Sequence, residues 1–291
     1  MSGLSRPSVQ EPAPARTGLH LQAFTLTAEQ TEELDAPFVG AAEPTGTFCS
    51  FGKKLCHAAG PRAMVIPEVV TVTRSTEAAA GPGPVMDQAF WDGRYRSRGT
   101  LWSGRPNPQL VNDVAGLPPG CALDIGCGEG ADAFWLADRG WQVTAVDLSP
   151  VALERGAARA RELGDAIARR IAWQQVDLVG WIPAAGRYDL VSAQFMHLPQ
   201  PQRENLHRRL AAAVAPGGVL LVVGHHPWDL RTTVSRPNVP ELFYTAADVA
   251  AVLDPRQWTI LAEEARPRPA VDPDGREVTI HDAVLTARRT G

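Results

Sequence analysis

Three carboxylates and one glycine loop are the residues best placed to do chemistry. Gly126-Cys127-Gly128-Glu129-Gly130 follows a short apolar run and precedes a helical pattern that starts at Ala131. Glycines let a backbone turn sharply and let a ligand approach it closely. Gly126-x-Gly128-x-x-Ala131 also satisfies the dinucleotide fingerprint, so the loop alone leaves two ligand classes open. The acids narrow the choice. Asp124 lies inside the first strand, two residues before Gly126. A carboxylate there repels a pyrophosphate at the helix N-terminus and suits a ligand with an ammonium and a sulfonium. Asp147 ends the second strand, where it can accept from two ribose hydroxyls, although nicotinamide enzymes share that acid. Asp177 ends the third strand, where it can accept from an adenine amino group while the N–H of Leu178 meets a ring nitrogen. Asp177 alone reads equally well as a cap or turn residue. Acids at three successive strands point instead to S-adenosylmethionine (SAM), with a nicotinamide cofactor as the alternative.

The elements that must hold these residues follow from patterning. Helices are predicted over 106–117, 131–139, 150–163, 200–214 and 245–253. Strands are predicted over 122–125, 142–146, 171–176, 188–194 and 219–224, with two more near 259–265 and 277–288. Ser149 is set to cap one helix and Thr245-x-x-Asp248 to form a capping box on another. Asp272-Pro273-Asp274-Gly275 is the turn between the last two strands. Alternating strands and helices mean parallel β-α-β units. Short apolar strands suit a sheet covered on both faces. The closing strand-turn-strand predicts an antiparallel hairpin at one edge. The fold class is therefore α/β, Rossmann-like and doubly wound, with ligands at the carboxyl ends of the strands.

The chain has 291 residues, 44% hydrophobic and 21% charged, with a net charge of −4. That is an ordinary soluble composition, without the basic excess of a nucleic-acid groove. No apolar run approaches the roughly 20 residues of a bilayer span, and the N-terminus lacks the plan of a signal peptide. A cytoplasmic protein without membrane or nucleic-acid partners is expected. The four cysteines read as unlinked thiols, and Cys49, Cys56 and His57 lack the further ligands of a metal site. Residues 1–85 are rich in Pro, Ala, Gly, Ser and Thr and read as a low-order extension, with a short helix at 25–34, a strand at 64–72 and a linker at 78–84. Patterned sequence begins at Met86, which is the expected domain boundary and a candidate translation start.

The segment from Phe90 to Arg289 resembles the class I SAM-dependent methyltransferases, over about two-thirds of the chain. Leu123 to Gly130 matches their first motif, and Asp147 and Asp177 match their ribose and adenine acids. Ala215-Pro216-Gly217-Gly218 matches the turn before their fifth strand. The resemblance implies a seven-stranded sheet of order 3-2-1-4-5-7-6. It implies SAM contacts at Trp102, Asp124, Gly126, Cys127, Gly128, Gly130, Asp147, Leu148, Asp177, Leu178 and Gln194, with S-adenosylhomocysteine (SAH) as product. Phe90-Trp91-Asp92-x-x-Tyr95, Trp102 and Asp272 to Glu277 resemble the tellurite-resistance and thiopurine methyltransferase-like group. The tellurite-resistance enzymes carry a His-Arg pair before the hairpin turn, where this chain reads Glu264-Ala265-Arg266-Pro267-Arg268.

Methyl transfer from a sulfonium is an in-line displacement, so the protein's main task is to position groups and exclude water. A thiolate or chalcogenide needs no base, whereas a hydroxyl or protonated amine does. Gln194 is expected near the methionine portion of the cofactor. His197 and His225, after the fourth and fifth strands, are the candidate catalytic residues, although each also reads as a loop histidine bonded to backbone. No carboxylate or thiolate is spaced with them and His226 to hold a metal, so none is expected. Tyr244 is expected to line the pocket. Phe90, Trp91, Tyr95 and Trp102 read as core residues that can also cover a cation with their faces. Arg105 or Asn107 could hold the cofactor carboxylate. The leading expectation is methyl transfer to a small molecule, including thiols and chalcogen oxyanions, by a monomer or weak homodimer. A macromolecule methyltransferase and a SAM-binding protein without catalysis are the alternatives. Ala193-Gln194-Phe195-Met196 stands where amino-methylating DNA enzymes carry Asn/Asp-Pro-Pro-aromatic.

Overall fold

The computed structural model describes residues 86–234 and 239–291. The expectations for residues 1–85, including Cys49 and Cys56, lie outside the described residues. Seven strands form one sheet of order β3-β2-β1-β4-β5-β7-β6. They are β1 (Cys121–Ile125), β2 (Gln142–Asp147), β3 (Ile171–Gln175), β4 (Tyr188–Gln194), β5 (Val214–His225), β6 (Trp258–Val271) and β7 (Glu277–Arg289). The first five pair in parallel, and β7 runs antiparallel to both β5 and β6. Sequence patterning thus gave the fold class, the strand order through the resemblance, and the antiparallel hairpin.

Among the described residues, seven helices precede or join the strands: α1 (Gln88–Ser97), α2 (Pro108–Val114), α3 (Ala131–Asp138), α4 (Pro150–Leu163), α5 (Asp165–Ala168), α6 (Gln202–Ala213) and α7 (Ala246–Ala250). Two 3-10 turns, Pro227–Arg231 and Pro240–Leu242, follow β5. Ser149 caps α4 and Thr245 with Asp248 closes the capping box of α7, both as read from sequence. None of the described helices is long and apolar enough to cross a membrane. Cys121 and Cys127 are unlinked thiols.

Side chains alternate across a strand, and here the alternation divides two cores. Leu123, Ile125, Val191, Leu220, Val222 and Leu285 share one face with Leu206 and Leu210 of α6. Ala122, Leu190, Leu221, Val223 and Val284 share the other with Leu110 of α2 and Leu136 of α3. The same alternation puts Asp124, Ser192, Gln194, His225 and Asp282 on the second face. Asp124 is the neighbour of Ser192, and His225 of Asp282, across paired strands. A polar row therefore crosses the carboxyl ends of the central strands.

Two departures from the sequence reading have clear causes. β6 runs to Val271, beyond the predicted end near residue 265, although it contains Pro267 and Pro269. It lies at the sheet edge, where a strand tolerates proline because its outer donors have no partner strand. Residues two apart turn their nitrogens to the same side, so both prolines leave the inner ladder intact. β5 begins at Val214 rather than 219, since Val214 pairs with Tyr188 before a register shift lets the Pro216-Gly217-Gly218 turn pass.

Candidate functional site

The glycine loop is stitched to the end of β2. Cys127 N–H donates to the Val146 carbonyl at 3.0 Å, and Gly128 N–H to Asp147 Oδ2 at 2.9 Å. Asp147 Oδ1 accepts from Ser149 N–H, also at 2.9 Å. A carboxylate has about four acceptor positions, so Asp147 can hold the loop and still accept from a ligand. Burial raises its pKa, and the Ser149 and Gly128 N–H groups oppose that rise. Gly128 has φ +52°, and a Cβ there would stand 3.0 Å from the Tyr95 hydroxyl and 3.2 Å from the Trp102 indole nitrogen. The loop backbone thus lies directly beneath two aromatic side chains. Trp102 Nε1 donates to Tyr95 Oη at 3.1 Å, which ties the two together.

Residues 98–107 form a strap between α1 and α2 that passes over the loop. Leu101 N–H donates to Glu129 Oε2 at 3.0 Å. Arg155 on α4 pairs with Glu129 at 3.1 Å and also bonds the Gly99 carbonyl. Asn107 N–H donates to Asp132 Oδ1 at 2.6 Å. Ser149 Oγ donates to buried Asp92 on α1 at 2.5 Å, which docks that helix on the α4 N-terminus. Glu129, Asp132 and Arg155 were not singled out from sequence. Asp132 carried a usable signal, because an acid in the first turn after the loop repels a pyrophosphate just as Asp124 does.

Strap, loop and strand ends border an open cleft of about 1870 Å³. It is lined by Trp102, Gly126, Cys127, Gly128, Gly130, Asp147, Leu148, Asp177, Leu178, Gln194, His197 and His225. Arg105 and Asn107 line it too. Asp124 does not. It is buried below the loop, and its Oδ2 has no hydrogen-bond partner among the described residues. Its pKa is raised by burial and by the charges of Asp132 and Asp147. Burial also pushes Asp132 up to about 6. Gln194 donates to Ser192 Oγ at 2.8 Å, while its buried Oε1 has no partner among the described residues. Clustered carboxylates and an orphaned amide oxygen suit a cationic, hydrogen-bond-donating group. They oppose a phosphate. These residues fit SAM, whose amino acid end carries an ammonium near the sulfonium, better than a dinucleotide.

Asp177 Oδ1 accepts from Val179 N–H at 2.9 Å, so it is a turn residue as well as a lining one. At the other end of the cleft, Trp91, His197, His225 and Phe195 form a ladder of rings. Centroid separations are 6.1 Å from Trp91 to His197, 5.7 Å from His197 to His225 and 4.8 Å from His225 to Phe195. Met196 lies beside Gly126, with Sδ 2.4 Å from where a Cβ would stand. Phe195 takes φ +51°, and the turn it makes carries Met196 and His197 into the cleft lining.

One sequence expectation fails here. Tyr244 does not line the cleft. It is buried on the opposite face of the sheet against Gly224, with its hydroxyl donating to the Val223 carbonyl. His226, just past the end of β5, caps the following 3-10 turn. Its Nδ1 accepts from Trp228 N–H, and its ring lies against Trp228.

Residues 122–218 match the family model described as a methyltransferase domain. The chain is similar to a 2-heptyl-1-hydroxyquinolin-4(1H)-one methyltransferase of Mycobacteroides abscessus, at 28% identity over 51% of this chain and 70% of that protein. It is similar to a trans-aconitate 2-methyltransferase of Sinorhizobium fredii, at 35% identity over 40% of this chain and 43% of that one. The chain thus spans less than half the length of the second relative. Among solved structures, one from work on the conversion of a disulfide bond into a thioacetal group during echinomycin biosynthesis matches with a TM-score of 0.54. The identity is 25%, over 70% of this chain and 92% of that one. TehB from Haemophilus influenzae shares the fold, with a TM-score of 0.51 at 16% identity, over 70% of this chain and 67% of that one.

Proposed function

We propose that this chain, a SAM-dependent methyltransferase, passes its methyl group to a small-molecule acceptor, with thiols and chalcogen oxyanions as the favoured class. The observation that carries the reading is the ring-lined end of the cleft beside the glycine loop. Such a recess admits a small ligand. The curated relatives' named acceptors, a hydroxyquinolone and trans-aconitate, are small molecules. The sulfur chemistry named for the echinomycin protein supports a soft acceptor.

SAM, when bound, supplies a methyl group already activated on a sulfonium. The chain's own residues supply position and dryness. In this proposal Gly126, Cys127, Gly128 and Gly130 present backbone to the cofactor, and Asp147 with Leu148 takes the ribose. Asp177 and the Leu178 N–H take the adenine. Asp124 acts from below on the ammonium, and Gln194 accepts a hydrogen bond from it. Trp102 covers the loop, and its face favours a cation. His197 and His225 bracket the acceptor. Either can accept the proton of a thiol or hydroxyl through an imidazole nitrogen.

The test combines ligand stabilisation with methyl incorporation. SAM and SAH should raise the melting temperature while NADH and NADPH do not. Labelled methyl should enter thiols, selenite or tellurite in preference to amines and phenols. Stabilisation by NADH alone would overturn the cofactor, and transfer to amines alone would overturn the soft acceptor.

Binding should also depend on pH. Asp132, pushed up to about 6, is ionised at pH 7 and mostly protonated at pH 5. If its charge attracts the ammonium, SAH should bind about tenfold more weakly at pH 5 than at pH 7. The sign for the unliganded fold is opposite. A carboxylate whose folded pKa is raised favours the protonated folded state, so this contribution is full below the ordinary value of 3.8 and is lost as pH rises through about 6. Calorimetric titration of SAH across that window checks the first trend. A flat affinity would refute the role of Asp132.

A further inference from the structure

The β6–β7 hairpin does not stop where the parallel strands do. β5 ends at His225, which pairs with Asp282. β6 and β7 go on pairing beyond that point, from Pro267 opposite His281 to Val271 opposite Glu277. At about 3.4 Å per residue, those five pairs raise a wall roughly 17 Å tall past the carboxyl edge of the sheet. Ile280 lies two residues from Asp282, so it faces the same side as His225. Arg268, opposite Ile280, and Ala270, two residues further on, share that side. All three line the cleft, as do Val271 at the end of β6 and Val234. Arg268 is ion-paired with Asp282 at 2.9 Å, so the charge within this strip is balanced. Thr233 Oγ1 donates to Asp272 Oδ2 at 2.9 Å, and Asp272 Oδ1 accepts from the Asp274 and Arg276 N–H groups. Val234 is thereby tied to the hairpin turn.

We infer that this wall takes the body of the methyl acceptor, and that the acceptor carries an extended apolar chain laid along Ile280, Ala270, Val271 and Val234 while its reacting atom lies beside His225. The inference rests on the methyltransferase reading and narrows its acceptor class. Size favours it. Ligand pockets commonly run about 300–1,000 Å³, whereas the cleft is about 1870 Å³. A cofactor and an oxyanion of a few atoms would leave much of that space to water. Polarity favours it as well. Val271 is 44% exposed and Val234 half-buried, beside the buried side chains of Ile280 and Ala270. Apolar surface kept open to water in a cleft gains free energy when an apolar ligand covers it. The turn residues Pro273, Asp274 and Gly275 are exposed, so a polar group at the far end of the chain can stay in solvent.

The test titrates two matched probes, 8-mercapto-1-octanol and 3-mercapto-1-propanol, calorimetrically into the SAH-saturated protein. They share a thiol and a hydroxyl and differ only in chain length. The longer probe should bind about 30-fold more tightly, roughly half the free energy that complete burial of the extra methylenes would give. Val271→Asp, at an exposed position, should cut that preference about fivefold by setting a charge beside the chain, and should leave the shorter probe unchanged. Ala270→Phe should have the same selective effect by filling the space the chain needs. The melting temperature reports whether each variant is folded, and the wild-type comparison stands without any variant. Equal binding of the two probes, binding of neither, or a preference that survives intact in both folded variants would overturn the inference. SAH binding and methyl incorporation into the shorter thiol report separately on the methyltransferase reading, which stands if that thiol is methylated while the preference for length fails.

Discussion

Replacing Asp147 by Ala should weaken SAH binding about 30- to 150-fold, a loss of about 2–3 kcal/mol from two charge-assisted hydrogen bonds to the ribose. The effect should exceed that of any other single acid, because Asp147 works twice. It can accept from the ligand, and it holds the loop through Gly128 N–H and the start of α4 through Ser149 N–H. Removing it leaves two partly buried donors without their acceptor, so the unliganded protein should also lose stability. Asp147→Asn separates the two roles. Its carbonyl can still accept one loop N–H, so stability should recover more than affinity does. Calorimetry with SAH and chemical denaturation are the two measurements. An unchanged SAH affinity in Asp147→Ala would refute the ribose assignment.

Gly130→Ala should destabilise the fold by about 2–4 kcal/mol, from strained backbone and overpacking together. Gly130 takes φ +92°, and a Cβ would stand 2.4 Å from the Trp173 ring and 3.1 Å from Phe134. The ring cannot retreat, because Gly156 on α4 abuts the same ring, with its own Cβ position 2.6 Å away. Trp173 on β3 is thus wedged between two glycines and meets Phe134 edge-on at 6.0 Å. Gly140→Ala is the control. Its φ is +94°, close to that of Gly130, and its Cβ position meets Pro119 only at an ordinary 3.6 Å, so it should cost only the backbone strain. Equal losses in the two variants would show that the tryptophan wedge contributes nothing. The third glycine of the loop therefore also serves packing between helix and strand.

Much of the site could be read before the fold was known, because it is local in sequence. The loop, Asp147 and Asp177 each sit where a strand hands over to a turn, and strand ends are marked by apolar runs. His225 and His226 show where local reading falls short. His225 ends β5 and His226 follows it, yet only His225 lines the cleft, and the phase that decides this depends on the neighbouring strand. Tyr244 likewise lies close to the site in sequence but on the far face of the sheet. The strap contacts were beyond reach for another reason. Leu101 meets Glu129 across 28 positions and Gln109 meets Asp282 across 173, so these bonds depend on the path of a loop or on tertiary packing.

The two prolines of β6 have a consequence for the protein in a crowded solution. A long, exposed outermost strand invites a strand from another molecule to dock onto its open donors and acceptors, the first step toward fibrous growth. Pro267 and Pro269 delete successive outward donors from the middle of that rim, and the charged Glu263 and Glu264 stand just before them. A second molecule trying to extend the sheet there would find gaps in its ladder and like charge nearby. The sheet is thereby guarded against growing past its seventh strand.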